Sequence, residues 1–205
     1  MLKFHKAVSF ALQPLLMPTF GIIMLVMSPL GMYFTSIWKW FAVGGTFVFT
    51  ALLPATPILM MLRSGQIKDL YISKKEQRTM PYLFSMIAYV FWTMFMWRIL
   101  KMPLFLVFMG VGSTLSIVII TLINTRWKIS AHLSGIGGLT GGVFAYAYIL
   151  CINPLGLMIL MILFSGLTAL SRIELKAHTP GQTLAGFTVG FLMVFLPPVL
   201  VRLLS

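Results

Sequence analysis

The chain has 205 residues, 60% of them hydrophobic and only 9% charged, where a soluble domain carries roughly 25% charged residues. That balance excludes a soluble globular fold and assigns the chain to a membrane. The net charge of +12 then reflects topology and anionic headgroups rather than nucleic acid, because no basic stripe interleaved with aromatics is present.

Charge-free stretches define the predicted elements, since a span needs about 20 apolar residues. They cover 7–38, 40–62, 79–97, 103–125, 133–171 and 177–201, counting His178 as neutral. The first predicts a segment over 9–34 that Pro14, Pro18 and Pro29 break, either one kinked, tilted span or one span plus a dipping segment. It is too long for a signal-peptide core and lacks a small-residue cleavage pattern, so it is read as part of the protein. Spans are expected next at 40–62, 81–98 and 103–124. The stretch 133–171 holds two, 132–151 and 155–171, with Asn153-Pro154 as the turn. The last span is 180–201. The fold expected is an all-α, polytopic transmembrane helical bundle of about six to seven spans, a single membrane domain over 1–205.

Some residue types have a packing explanation. Gly135, Gly137, Gly138, Gly141 and Gly142 share one span. No Gly-Lys-Ser/Thr follows them, so close helix packing rather than a phosphate loop is expected. Gly186 and Gly190 repeat that small-residue spacing in the last span. The five tryptophans fall mostly near span ends, as interfacial anchors do. Cys151 is the single cysteine, so no disulfide forms within the chain. Asp69, Glu76 and Glu174 are the only acids. Three scattered carboxylates supply neither an Asp-rich magnesium site nor paired-carboxylate chemistry, and no metal or cofactor is expected.

Three polar breaks remain, at 63–80, 124–132 and 172–178. Two predicted spans separate each consecutive pair, and an even number of crossings returns a chain to the same side. Arg78, His132, Arg172 and His178 are therefore expected on one membrane face. That face also carries most of the lysines and arginines, so the positive-inside rule turns it to the cytoplasmic side of a cell inner membrane. Histidine serves as acid, base or nucleophile near neutral pH, and arginine offers a donor fork suited to phosphate oxygens. His5, on the N-terminal tail, is expected to be solvated.

Ser171-Arg172 followed by His178 resembles the third signature of the type-2 phosphatidic acid phosphatase superfamily, related to the vanadium haloperoxidases. Ser130-Ala131-His132 resembles the second signature, and Arg78 with nearby Pro81 resembles the end of the first. The resemblance spans about 63–201 and implies a phosphatase-like helical core there. It implies that His178 is the nucleophile, forming a phosphohistidine, and that His132 is the general acid. Arg78, Arg172 and the Ser130 region would bind phosphoryl oxygens. Three positions depart from the pattern. Tyr71 stands where the first signature has lysine, with Lys74 or Lys75 as off-register substitutes. Thr79 replaces the proline after Arg78, and Gln182 replaces the aspartate that would orient His178. Gln182 can accept the imidazole N–H but brings no negative charge. Thr179-Pro180-Gly181-Gln182 also fits a helix capping box, a structural role compatible with the orienting one.

The function expected is a metal-independent membrane lipid phosphatase acting on a phospholipid phosphomonoester or a polyprenyl diphosphate. The alternative is an inactive descendant that binds an anionic lipid headgroup. A small channel or transporter has little support, because no charge sits in mid-span.

Overall fold

The computed structural model describes residues 2–67 and 75–204. Every regular element among them is helical. Helices α1 (Leu2–Ala11) and α2 (Met17–Met27) form one rod, bent at a 3-10 turn over Pro14–Leu16. Pro14 cannot donate a backbone hydrogen bond, so the helix ends ahead of it and restarts. Pro18 lies in the first turn of α2, where a missing N–H costs nothing. Of the two arrangements open for the first segment, the structure shows the single kinked rod. It runs over Leu2–Met27 rather than 9–34, and Pro18 does not interrupt it.

The second rod joins α3 (Ser36–Phe47) to α4 (Leu53–Arg63). Between them the helix widens to a π-turn over Val48–Leu52, directly ahead of Pro54, which has no N–H to continue the ladder. A 3-10 turn, Lys75–Arg78, leads into α5 (Thr79–Met94), which closes in a second π-turn at Phe95–Ile99. Four uninterrupted helices follow: α6 (Leu104–Arg126), α7 (Ala131–Ile149), α8 (Leu155–Glu174) and α9 (Pro180–Leu204).

Six of these rods are long and apolar enough to cross a bilayer: Leu2–Met27, Ser36–Arg63, Glu76–Ile99, α6, α8 and α9. The chain is thus an all-helical, multi-pass membrane protein. The remaining rod, α7, is the least lipid-like because it faces little lipid. Eleven of its 19 residues are buried, with α9, α8, α6 and α2 packed around it. A central helix can carry glycine, serine and threonine that a lipid-facing one could not.

Glycine sets the distance between α7 and α9. An added Cβ on Gly137 or Gly141 would come 3.0 Å from the Cα of Phe187 or Phe191. From the other side, one on Gly190 would come 2.9 Å from the Gly138 nitrogen. Trp92 departs from the anchoring role expected of tryptophan. It is buried, and its indole N–H donates to Thr46 Oγ1 at 3.0 Å, tying α5 to α3.

Three helices end with the same reversal. The residue after the C-cap adopts positive φ at Gly65 (74°), Cys151 (52°) and Lys176 (51°). The next N–H reaches back: Gln66 to Met61 O at 2.9 Å, Ile152 to Ala147 O at 3.0 Å and Ala177 to Arg172 O at 3.1 Å. This Schellman closure satisfies carbonyls that the helix end leaves open. The turn between α7 and α8 therefore begins at Cys151, ahead of Asn153-Pro154.

Gly190→Val should lower the stability of the detergent-solubilised protein by about 1–3 kcal/mol, the usual cost of overpacking a tight contact. Gly156→Ala, with open space around the added methyl, should leave it within about 0.5 kcal/mol. Thermal unfolding of both variants provides the check.

Candidate functional site

The site forms where α7, α8, α9 and the start of α5 meet at one end of the bundle. Its first component is the C-terminal turn of α8. The left-handed conformation of Lys176 folds the chain back, so that the Ala177 and His178 N–H groups both donate to the Arg172 carbonyl, at 3.1 and 3.3 Å. That places His178 over the end of the helix that carries Arg172. Both side chains are buried, with Arg172 3% and His178 7% exposed.

The start of α9 orients His178. The Thr179 N–H donates to Gln182 Oε1 at 3.2 Å, and the Gln182 N–H donates to Thr179 Oγ1 at 3.4 Å. This reciprocal pair is the expected capping box. The backbone donor also decides which end of the Gln182 amide is oxygen, because only the oxygen can accept it. The same oxygen lies 3.0 Å from His178 Nδ1, so Nδ1 carries the proton and donates. Nε2 keeps the lone pair. Gln182 thus caps the helix and fixes the imidazole tautomer with one oxygen atom.

Ser130 joins the second component to the first. Its N–H donates to the Gln182 carbonyl at 3.3 Å, locking the start of α7 to the start of α9. Its hydroxyl oxygen accepts the Leu133 N–H at 3.4 Å as the N-cap of α7. The residue is fully buried. Two residues on, His132 Nε2 donates to the Ser9 carbonyl at 3.1 Å, which leaves Nδ1 as the imidazole's other polar atom.

Arg78, 4% exposed, closes the cluster from the α5 side and donates to the Ile129 carbonyl at 3.1 Å. It also lies within electrostatic reach of Tyr82, one helical turn further on. Arg172, His178 and Arg78 lie within electrostatic reach of His132, and Arg78, Arg172 and Lys128 within that of His178. The four residues that parity assigned to one face therefore gather in a single cluster. Tyr71 and Lys74, the position of the missing lysine and one of its substitutes, lie outside the described residues.

Three participants were not anticipated. His5 is half-buried rather than solvated, with Nδ1 3.1 Å from Ser171 Oγ. The Ser9 carbonyl holds His132. Both come from α1, which packs along α8. Tyr82 is the third, and its i+4 spacing from Arg78 is the signal the sequence carries for it. Among the described residues, no three His, Cys, Asp or Glu side chains gather where they could hold a metal ion.

Burial chiefly, and Arg78 next, push the His178 imidazole down from 6.5 to about 3; the Gln182 hydrogen bond opposes them, while Arg172 and Lys128 add to the depression. At neutral pH His178 is an uncharged imidazole beside fixed positive charges, a form able to act as base or nucleophile. No family model, curated protein or solved structure matches the chain.

The depressed value has a thermodynamic consequence. Between about pH 3 and 6.5 the unfolded chain binds a proton at this histidine that the folded chain does not. Stability from this group should therefore be complete above pH 6.5 and should fall as the pH drops toward 3. His178→Gln should flatten that part of the stability–pH curve. Titration of the His178 ring resonances by NMR should show no protonation down to about pH 4.

Proposed function

We propose that the protein is a membrane lipid phosphatase that uses His178 as its nucleophile, a divergent member of the type-2 phosphatidic acid phosphatase superfamily. The observation that carries this reading is the convergence of Arg78, Arg172 and His132 on a neutral His178 whose tautomer the Gln182 oxygen fixes. Phosphoryl transfer asks mainly for positioning and for positive charge around three equatorial oxygens. Two buried guanidiniums supply that charge.

In the proposed reaction His178 Nε2 attacks phosphorus. The P–N bond forms as the bond to the leaving oxygen breaks. His132, in its protonated form, gives that oxygen a proton from Nδ1, its Nε2–H remaining on the Ser9 carbonyl. The negative charge of the bound phosphate stabilises the imidazolium against the arginines. Water then attacks the phosphohistidine, surrendering its proton to His132 and releasing inorganic phosphate. A phospholipid phosphomonoester or a polyprenyl diphosphate fits this chemistry. The charge distribution of the sequence favours a site on the cytoplasmic side of a cell inner membrane.

Gln182 favours a second reading. A neutral amide orients the imidazole and stabilises its cation less than a carboxylate would. A pocket of this composition can also bind an anionic lipid headgroup without turnover.

His178→Ala should abolish phosphate release while leaving the protein folded, and labelled substrate should leave a phosphohistidine in the parent but not in the variant. Binding of the lipid phosphate with no labelled intermediate would establish the headgroup-binding reading instead. Gln182→Glu keeps the capping box and adds the missing charge. It should raise the His178 pKa and increase turnover about tenfold, the difference between a neutral and a charge-assisted hydrogen bond. Unchanged turnover in that variant would remove the orienting role.

A further inference from the structure

A cavity of about 530 Å³ lies between α2, α5, α6 and α7, within the roughly 300–1,000 Å³ usual for small-ligand sites. Its wall on α7 comprises Ala131, Ser134, Gly135, Gly138, Leu139, Gly142, Val143 and Tyr146. These positions are one unbroken helical stripe, repeating at i, i+3, i+4 and i+7. At 1.5 Å per residue the stripe extends about 22 Å, most of the thickness of a bilayer's hydrocarbon core.

One end of the cavity meets the cationic site. Tyr82 lines it and lies one helical turn from Arg78, within its electrostatic reach, and Ala131 lies between Ser130 and His132. The opposite end reaches Met27, which is 81% exposed.

The lining offers little to a polar occupant. Ser116 and Ser134 hydrogen-bond each other at 2.7 Å. Ser28 donates to the Leu25 carbonyl and receives the Tyr146 hydroxyl at 2.8 Å. Ser85 and Ser113 donate to the carbonyls of Pro81 and Met109, one turn back in their own helices. A water molecule needs two to four polar partners, and these hydroxyls are already engaged within the protein. Methionine, leucine, isoleucine and glycine make up most of the remaining wall, a surface suited to hydrocarbon.

We propose that this cavity holds the hydrocarbon chain of a lipid phosphate whose headgroup occupies the Arg78–Arg172–His178 cluster, so that the tail lies inside the bundle rather than in the surrounding bilayer. The proposal rests on the phosphate-binding reading of that cluster. It gives α2 a function, since Met17, Ile22 and Leu25 form the wall opposite α7. The N-terminal rod, outside the phosphatase-like core at 63–201, becomes part of the substrate site. The apolar length then selects long chains, because each buried methylene adds to affinity.

The test uses hexadecyl phosphate and butyl phosphate, which share a headgroup and differ in tail. Ile117→Trp places a large ring in the cavity wall of α6, whereas Leu115→Trp places the same ring on an exposed position of that helix. Ile117→Trp should lower kcat/KM for hexadecyl phosphate about tenfold and leave butyl phosphate within about twofold. Leu115→Trp should alter neither. Hexadecyl phosphate carrying a diazirine at its chain end should label residues such as Met24 or Tyr146 in the parent protein, a readout that depends on neither turnover nor the folding of a variant. Labelling confined to lipid-facing residues such as Leu163, or equal effects of Ile117→Trp on both substrates, overturns the proposal. Cavity labelling without hydrolysis of either substrate supports the tail site and removes the phosphatase reading. Hydrolysis of both substrates with labelling only outside the cavity does the reverse.

Discussion

The contact on which the site depends is the close approach of α7 to α9. Gly137 and Gly141 on one helix, and Gly186 and Gly190 on the other, each face a main-chain group of the partner. Without side chains between them, the two backbones come near enough for the Ser130 N–H to reach the Gln182 carbonyl at 3.3 Å. That single bond fixes the start of α7, with His132, relative to the start of α9, with His178 beside it. In lipid, where apolar burial gives helices little reason to prefer one another over hydrocarbon, dispersion over such contacts is the available driving force. Other glycines of α7, Gly135, Gly138 and Gly142, give it a narrow profile where the cavity runs along it.

Electrostatics then distinguishes this end of the bundle. Arg78 and Arg172 are nearly inaccessible, and both act on the two histidines. Burying positive charge is costly unless hydrogen bonds and counter-charge accompany it. The protein supplies carbonyl acceptors, such as that of Ile129 for Arg78. In the proposed reading this cluster receives the anion, next to the uncharged His178 imidazole on which both arginines act.

Gln182 illustrates how a local role and a chemical role can share an atom. Its Oε1 accepts both the Thr179 N–H and His178 Nδ1–H. The capping interaction alone is sufficient reason for glutamine at the third position of α9. Burial and the arginines depress the imidazole's basicity, and the hydrogen bond to this neutral acceptor only partly opposes them.

The sequence by itself determined the helical class, a multi-pass arrangement of about six to seven rods and the grouping of Arg78, His132, Arg172 and His178. These follow from runs of apolar residues, from proline and from parity, all local or additive properties of the chain. The capping box at Thr179–Gln182 was legible for the same reason, since its partners lie three residues apart. Only the tertiary structure decided that α1 reaches the site, that the Ser9 carbonyl holds His132 and that His5 meets Ser171. Those bonds join residues 123 and 166 positions apart, and a contact between distant segments leaves no periodicity or spacing to read. The cavity is of the same kind: no wall residue's identity or spacing announces it, and the space exists only because four helices, positioned by glycine contacts elsewhere, do not close on one another.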